Sequence, residues 1–98
     1  MNTPRFEPIP GPDDRDGYML TSPYNEGFVA ELKAMIPYRD RQWWASSKAW
    51  WIAASSFDVA VHLVRRYFGA HELIDADTGE VIHVGADGTR VGQGGLSL

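Results

Sequence analysis

Apolar and polar positions repeat with two different periods along this chain, and the changes of period mark its elements. From Tyr24 to Ile36 the period is helical: Tyr24, Phe28, Leu32, Met35 and Ile36 fall on one stripe, away from Glu26, Ala30 and Lys33. Ser22 before Pro23 predicts the start, serine as N-cap and proline in the first helical position. Pro37 predicts the stop, because the residue before proline disfavours the α region. From Arg41 to Ala53 the period shortens to two. The stretch RQWWASSKAWWIA holds two β-prone runs around Ser46-Ser47. It predicts an antiparallel hairpin pairing Trp43 with Trp50, Trp44 with Ala49, Gln42 with Trp51 and Arg41 with Ile52. Ser-Ser is a weak two-residue turn, so a longer loop stays open. Alternation groups Arg41, Trp43, Trp50 and Ile52 on one face, and Gln42, Trp44, Ala49 and Trp51 on the other. A slip of one residue exchanges the two faces.

Helical periodicity returns after Ser55-Ser56. Phe57, Val61, Val64 and Phe68 form the apolar stripe with Ala60 and Tyr67 beside them, and His62, Arg65 and Arg66 share the opposite side. Either serine serves as N-cap, with Asp58 in the first turn, and Gly69 supplies the stop. Helices are thus expected over about residues 23–36 and 56–68. HELIDADTGEVIHV then predicts a second hairpin, with Asp75-Ala76-Asp77-Thr78 as a type I turn and Gly79 at positive φ. Tyr18 to Thr21, bounded by Gly17 and Pro23, predicts a short first strand. Residues 1–17, carrying Pro4, Pro8, Pro10 and Pro12, read as an extended or flexible arm. Residues 85–98, with five glycines, read as a flexible tail. The expected architecture is α+β, with one domain over residues 18–84. Its order is β-α-β-β-α plus a C-terminal hairpin: a small antiparallel sheet carrying both helices on one face.

The length of 98 residues suits one domain with one modest core. No cysteine is present, which excludes a disulfide framework and a thiolate metal site. The N-terminal residues lack the apolar stretch of a signal peptide, and no run of about 18 apolar residues occurs. A cytoplasmic protein without a membrane partner is expected. The net charge of −4 is unevenly spread. Lys33, Arg39, Arg41, Lys48, Arg65 and Arg66 make the centre mildly basic, while Asp13, Asp14, Asp16, Glu72, Asp75, Asp77, Glu80 and Asp87 make both ends acidic. Duplex binding rests on several phosphate-neutralising cations, so charge alone leans against nucleic acid.

Residues that carry chemistry are sparse. Asp75, Asp77 and Gly79 follow part of a calcium-loop pattern but lack its terminal bidentate glutamate, so a turn is the better reading. His71 and His83 could approach each other across the second hairpin, yet two histidines without a third ligand fall short of a zinc site. There is no nucleophile elbow and no histidine paired to a nucleophile; Ser46, Ser47, Ser55 and Ser56 read as turn and cap residues. No enzyme, metal or cofactor is expected. The tryptophans say more. Trp43 and Trp50 are expected in the core beneath the helices. Trp44 and Trp51 lie on the other face. There the N-terminal arm or the second hairpin covers them, or they stand exposed as a platform for bases or as anchors for a protein. Arg39, Arg41, Lys48 and Lys33 lie near enough for phosphate contacts, against the plainer reading of solvated surface.

Taken in order, Phe28-Val29-Ala30-Glu31-Leu32-Lys33, Ile36-Pro37, Arg41-Gln42-Trp43, Lys48-Ala49-Trp50-Trp51-Ile52 and the helix Phe57 to Phe68 resemble the HARP domain. That family has a helix with an F-x-x-x-x-K run and a proline, a strand with arginine and an aromatic, a K-x-W-x-I/F strand, and a second helix. The resemblance covers about residues 18–68. HARP domains sit beside the motor of annealing helicases, where they bind DNA and confer a preference for branched or fork-like structures. The resemblance therefore implies a non-catalytic accessory module for DNA, branched or single-stranded. On it, Trp44 and Trp51 would stack on bases while Arg39, Arg41, Lys48 and Lys33 meet phosphates. Trp44 and Trp51 depart from the pattern, which has polar or aliphatic residues there, and no motor phosphate-binding loop occurs in the sequence. The alternative is a protein-interaction module, such as an adaptor or phage-encoded inhibitor, using the same tryptophans as anchors. Overall acidity favours it.

Overall fold

A computed structural model describes residues 3–92. Strands β1 (Arg5–Pro8), β2 (Gly17–Thr21), β3 (Arg41–Trp44), β4 (Ala49–Ala53), β5 (His71–Ile74), β6 (Val81–Val84) and β7 (Arg90–Gly92) alternate with helices α1 (Glu26–Met35) and α2 (Phe57–Phe68). The strands form one sheet in the order β3-β4-β2-β1-β5-β6-β7. All neighbours run antiparallel except β1 and β5, which are parallel. The class is α+β with two helices, as expected, but the sheet is larger than expected and mixed.

The largest correction is at the N-terminus, where an arm was expected. Arg5–Pro8 instead pairs with β2 on one side and β5 on the other. Phe6 drives this. Its ring is fully buried, 5.1 Å from Phe57, 5.5 Å from His71 and 6.4 Å from Tyr18 between centroids, all edge-on. Such burial of an aromatic outweighs the proline-rich composition around it. Pro8 closes the strand as its last residue, and the Ile9 N–H donates to the Gly17 carbonyl at 3.0 Å to carry the pairing on. A second correction concerns the C-terminal stretch. Residues 85–89 turn tightly, Gly88 at φ 89°, and the chain returns as β7; residues 93–98 lie outside the described residues.

Both helices pack on one face of the sheet. The core joins Leu20, Trp50 and Ile52 from the strands to Phe28, Leu32, Ile36, Ala60, Leu63 and Val64, with Phe6 among them. α1 starts later than expected. Asn25 is the cap, its Oδ1 accepting the Phe28 N–H at 2.9 Å, while the Ser22 hydroxyl turns to the Pro23 carbonyl at 3.2 Å. Tyr24 therefore precedes the helix and is exposed, as is Met35 in its last turn. Pro37 ends the helix as expected, Ile36 having left helical geometry. In α2 the fully buried stripe is Ala60, Leu63 and Val64, flanked by partly buried Phe57, Val61, Tyr67 and Phe68. Ser56 holds the N-cap position without a cap bond, its hydroxyl lying 3.4 Å from Asp40 Oδ2.

The β3–β4 register is the expected one in all four pairs. The connection is the longer loop, Ala45 to Lys48, closed by bonds from the Ser47 and Lys48 N–H groups to the Trp44 and Ala45 carbonyls. The β5–β6 turn also follows its sequence. Asp75 Oδ1 accepts the Asp77 and Thr78 N–H groups, which hold this carboxyl below the usual carboxylate range, and Gly79 takes φ 75°. Phe6→Ala tests the corrected N-terminus. It should cost about 3–5 kcal/mol in denaturant melts, as for a buried aromatic, whereas an arm would tolerate it without loss.

Candidate functional site

Sheet position decides which tryptophans meet solvent. β3 is an edge strand, so Trp43 has no strand beyond it. Although it lies on the helix-side face, it is 49% exposed and rests edge-on against Trp50 at 5.4 Å. The expectation of Trp43 in the core is corrected on that ground. For Trp51 the covered alternative holds, with the N-terminal segment as the cover. Trp51 is 0% exposed on the opposite face, because residues 9–17 fold over it. Its Nε1 donates to the Ile9 carbonyl at 3.0 Å, and the Arg15 guanidinium sits 5.7 Å from the ring centroid. A side chain at Gly17 would lie 2.5 Å from the indole and 2.6 Å from the Ile52 carbonyl oxygen, so only glycine permits this cover. Trp44 is half-buried on the same outer face, its Nε1 donating to Gln42 Oε1 at 2.8 Å. An outward pair of Trp44 and Trp51 does not form; Trp43 takes that place.

Tyr24 and Tyr38, each 82% exposed, extend the aromatic surface around Trp43. Trp43 forms a ridge between two grooves. On one side Lys33, Tyr38, Arg39 and Arg41 line a depression of about 450 Å³. On the other, Lys48 stands beside a groove of about 500 Å³ floored by Leu20, Phe28 and Trp50. Three of the expected cations are thus brought together, and the fourth lies across the ridge. Arg41 is committed locally: Nε donates to the Ile36 carbonyl at 3.0 Å and Nη2 to the Lys33 carbonyl at 3.4 Å, over the Tyr38 ring. It neutralises the carbonyl end of α1. Lys33 and Arg39 are exposed.

The other half of the helix-side face carries a second concave surface, between α2 and β5–β7. Arg65, expected on a wet face, donates through Nη2 to the Ala86 carbonyl at 3.0 Å. His71 is buried here at 3% exposure. His83 cannot join it, since register places it opposite Glu72 on the other face, its Nδ1 3.3 Å from Glu72 Oε2. Among the described residues no group of three His, Cys, Asp or Glu side chains is placed to hold a metal ion. No helix there is long and apolar enough to cross a membrane. Burial pushes the His71 imidazole below the ordinary histidine range, and the Arg65 and Arg90 guanidiniums push it further down. Asp58, His62 and Arg66 of α2 line the same surface, and Asp87 lies near Arg65.

The chain matches no family model, no curated protein and no solved structure. What it does must be reasoned from these two surfaces.

Arg41→Ala should lower stability by about 1–2 kcal/mol, because it strips charged donors from helix-end carbonyls. Arg39→Ala, read in the same urea titration, should leave the midpoint unchanged. His71 sets a pH dependence whose sign follows from its lowered value. Below about pH 6.5 the unfolded chain takes up a proton that the folded chain refuses. Stability is therefore complete above that point and declines as pH falls towards the lowered folded value. In His71→Gln, melts across this window should lose that component of the slope.

Proposed function

We propose that this protein is a non-catalytic nucleic-acid-binding module of HARP-like organisation, which engages unpaired or branched DNA through the Trp43 ridge. The observation that carries it is an indole half-exposed on an edge strand with Lys33 and Arg39 beside it. Every base has a π-face, so an aromatic ridge takes unstacked bases with little regard to sequence. Tyr38 and Tyr24 supply further aromatic faces on either side, and Lys33, Arg39 and Lys48 are placed for the backbone of a strand crossing the ridge. Paired bases hide their faces, which favours single-stranded or forked substrates over continuous duplex. With so few cations on a chain of net charge −4, affinity is modest and stacking supplies much of it.

One observation favours a second reading. The groove on the Lys48 side is floored by Leu20, Phe28 and Trp50 and is predominantly apolar. It suits a hydrophobic anchor from a protein partner, and the outer edge of β3 offers backbone groups to an added strand.

Fluorescence titrations against single-stranded, duplex and forked DNA over a range of salt separate the two. Binding should weaken with salt along a shallow slope, corresponding to no more than about four phosphate contacts. Trp43→Ala should cost about 1–3 kcal/mol of binding, while Trp44→Ala costs little. Lys33→Gln and Arg39→Gln should weaken all sequences alike, since phosphate contacts carry no sequence information. Absence of DNA or RNA binding at low salt, with a correctly folded chain, overturns the nucleic-acid reading in favour of the protein partner.

A further inference from the structure

The second concave surface carries chemistry of its own. It has a volume of about 580 Å³ and is walled by α2 on one side and by β5, β6 and β7 on the other. Asp58, His62 and Arg65 fall at successive turns along one side of α2, so that side faces the cleft. Three arginines, Arg65, Arg66 and Arg90, line it against a single carboxylate, Asp58. Glu31 pairs with Arg66 and Asp87 lies near Arg65, which leaves Arg65 and Arg90 as the arginines outside any ion pair.

The arginines differ in how far they are committed. Arg66 lies 3.5 Å from Glu31 at the mouth, its guanidinium 6.0 Å from the Tyr67 ring centroid. Arg65 uses Nη2 on the Ala86 carbonyl, which fixes the guanidinium and leaves its other N–H groups for a ligand. The Arg90 side chain enters no hydrogen bond or ion pair among the described residues. At the floor stands His71, 97% buried by its 3% exposure, with its Nδ1 lacking any hydrogen-bond partner among the described residues. A buried polar atom without a partner is costly, and native proteins rarely leave one so. Nδ1 has almost no accessible surface, so a ligand oxygen in the cleft bonds it after a small shift of the ring.

We propose that this cleft binds a terminal phosphate group, as a phosphomonoester, with Arg65 and Arg90 clamping the anion and His71 bonding one of its oxygens. Charge and shape argue for this class. Arg65 and Arg90, neither held in an ion pair, present two guanidinium forks, which fit the oxygens of a phosphate dianion better than a carboxylate ligand of single charge. The volume exceeds one phosphate, and Phe57, Val61 and Leu73 give an apolar wall to the group that carries it. Two sources present this chemistry: a small phosphorylated metabolite, or the 5′-phosphate end of a nucleic-acid strand. The cleft does not include the Trp43 ridge, so the proposal stands or falls apart from the function proposed above.

The test uses the full chain, following the His71 ring signals by NMR. The probes are inorganic phosphate, ribose 5-phosphate, and one short oligonucleotide with a 5′-phosphate or a 5′-hydroxyl. The phosphate-bearing probes should shift the His71 signals saturably, and acetate should not. Arg90→Gln, an exposed position whose fold is checked by melting, should weaken ribose 5-phosphate by about tenfold or more, as loss of a charge-assisted bond does. Arg65→Gln should act in the same direction, and Trp43→Ala should leave ribose 5-phosphate binding unchanged. Tighter binding of the 5′-phosphorylated strand than of ribose 5-phosphate supports the site and assigns it to strand ends. The reverse order supports it as a metabolite site. No saturable His71 response to any phosphomonoester, or an undiminished response in Arg90→Gln, overturns the proposal.

Discussion

The parallel pairing of β1 with β5 joins two hairpin systems into one sheet, and the rest of the molecule hangs on it. Only Arg5 opposite Glu72 and Phe6 opposite Leu73 make the register, helped by the Glu72 N–H donating to the Pro4 carbonyl at 2.8 Å. Without that ladder, β3-β4-β2-β1 and β5-β6-β7 would each end in an open edge, with unpaired backbone groups towards the middle of the protein. Phe6 fills the seam on the helix side, and Arg5 closes it on the other with two bonds to Glu72. A parallel pair needs a long crossover, and here both helices and three strands lie between the two partners. The seam is therefore the most non-local contact in the fold, and local structure must be largely in place before it can close.

That geometry explains which features were legible in the sequence. The β3–β4 register could be read because Trp50 and Ile52 alternate with Ala49, Trp51 and Ala53, and a hairpin pairs neighbours in sequence. The Asp75–Gly79 turn and the stop before Pro37 were likewise set by local chemistry. β1 was not legible. It offers one inward apolar residue, Phe6, between two prolines, and what rewards its burial comes from Phe57 and His71, far along the chain. The start of α1 was a choice between two good local caps, Ser22 and Asn25, which only the packing of Phe28 decides.

The tryptophans fail in a more instructive way. Alternation grouped their faces correctly and left the cover of Trp51 open, yet Trp43, expected in the core, came out half-exposed. A face is a local property of a strand, whereas exposure depends on what else lies against that face. Trp43 faces the helices but stands on the sheet's outermost strand; Trp51 faces away but meets Gly11 and Gly17 in the N-terminal segment. The N-terminal segment that follows β1 closes the back of β4, which is one of the alternatives open for Trp51. The candidate site moved by one residue, from Trp44 to Trp43, with most of its cations kept.

Net charge was an equally poor guide to surface. Two of the acidic residues shape turns: Asp75 accepts the Asp77 and Thr78 N–H groups, and Asp87 accepts that of Thr89. Their charge is spent on local geometry at the periphery. Apart from Arg5 and Arg15, the arginines and lysines gather at the two concave regions of the helix side, the Trp43 ridge and the cleft above His71. From β3 to β6 is five ladder steps, roughly 24 Å at about 4.8 Å a step, on a body 42 Å long. At that separation salt screens one cluster from the other, since the Debye length is about 8 Å at physiological ionic strength. Any coupling between ligands at the two places would have to travel through α2, which packs on β4 and on β5. Its buried stripe of Ala60, Leu63 and Val64 is close-packed, and nothing in it offers a second arrangement for a ligand to select. The two surfaces should therefore act as independent sites on one rigid sheet, each recognising its ligand by its own few side chains.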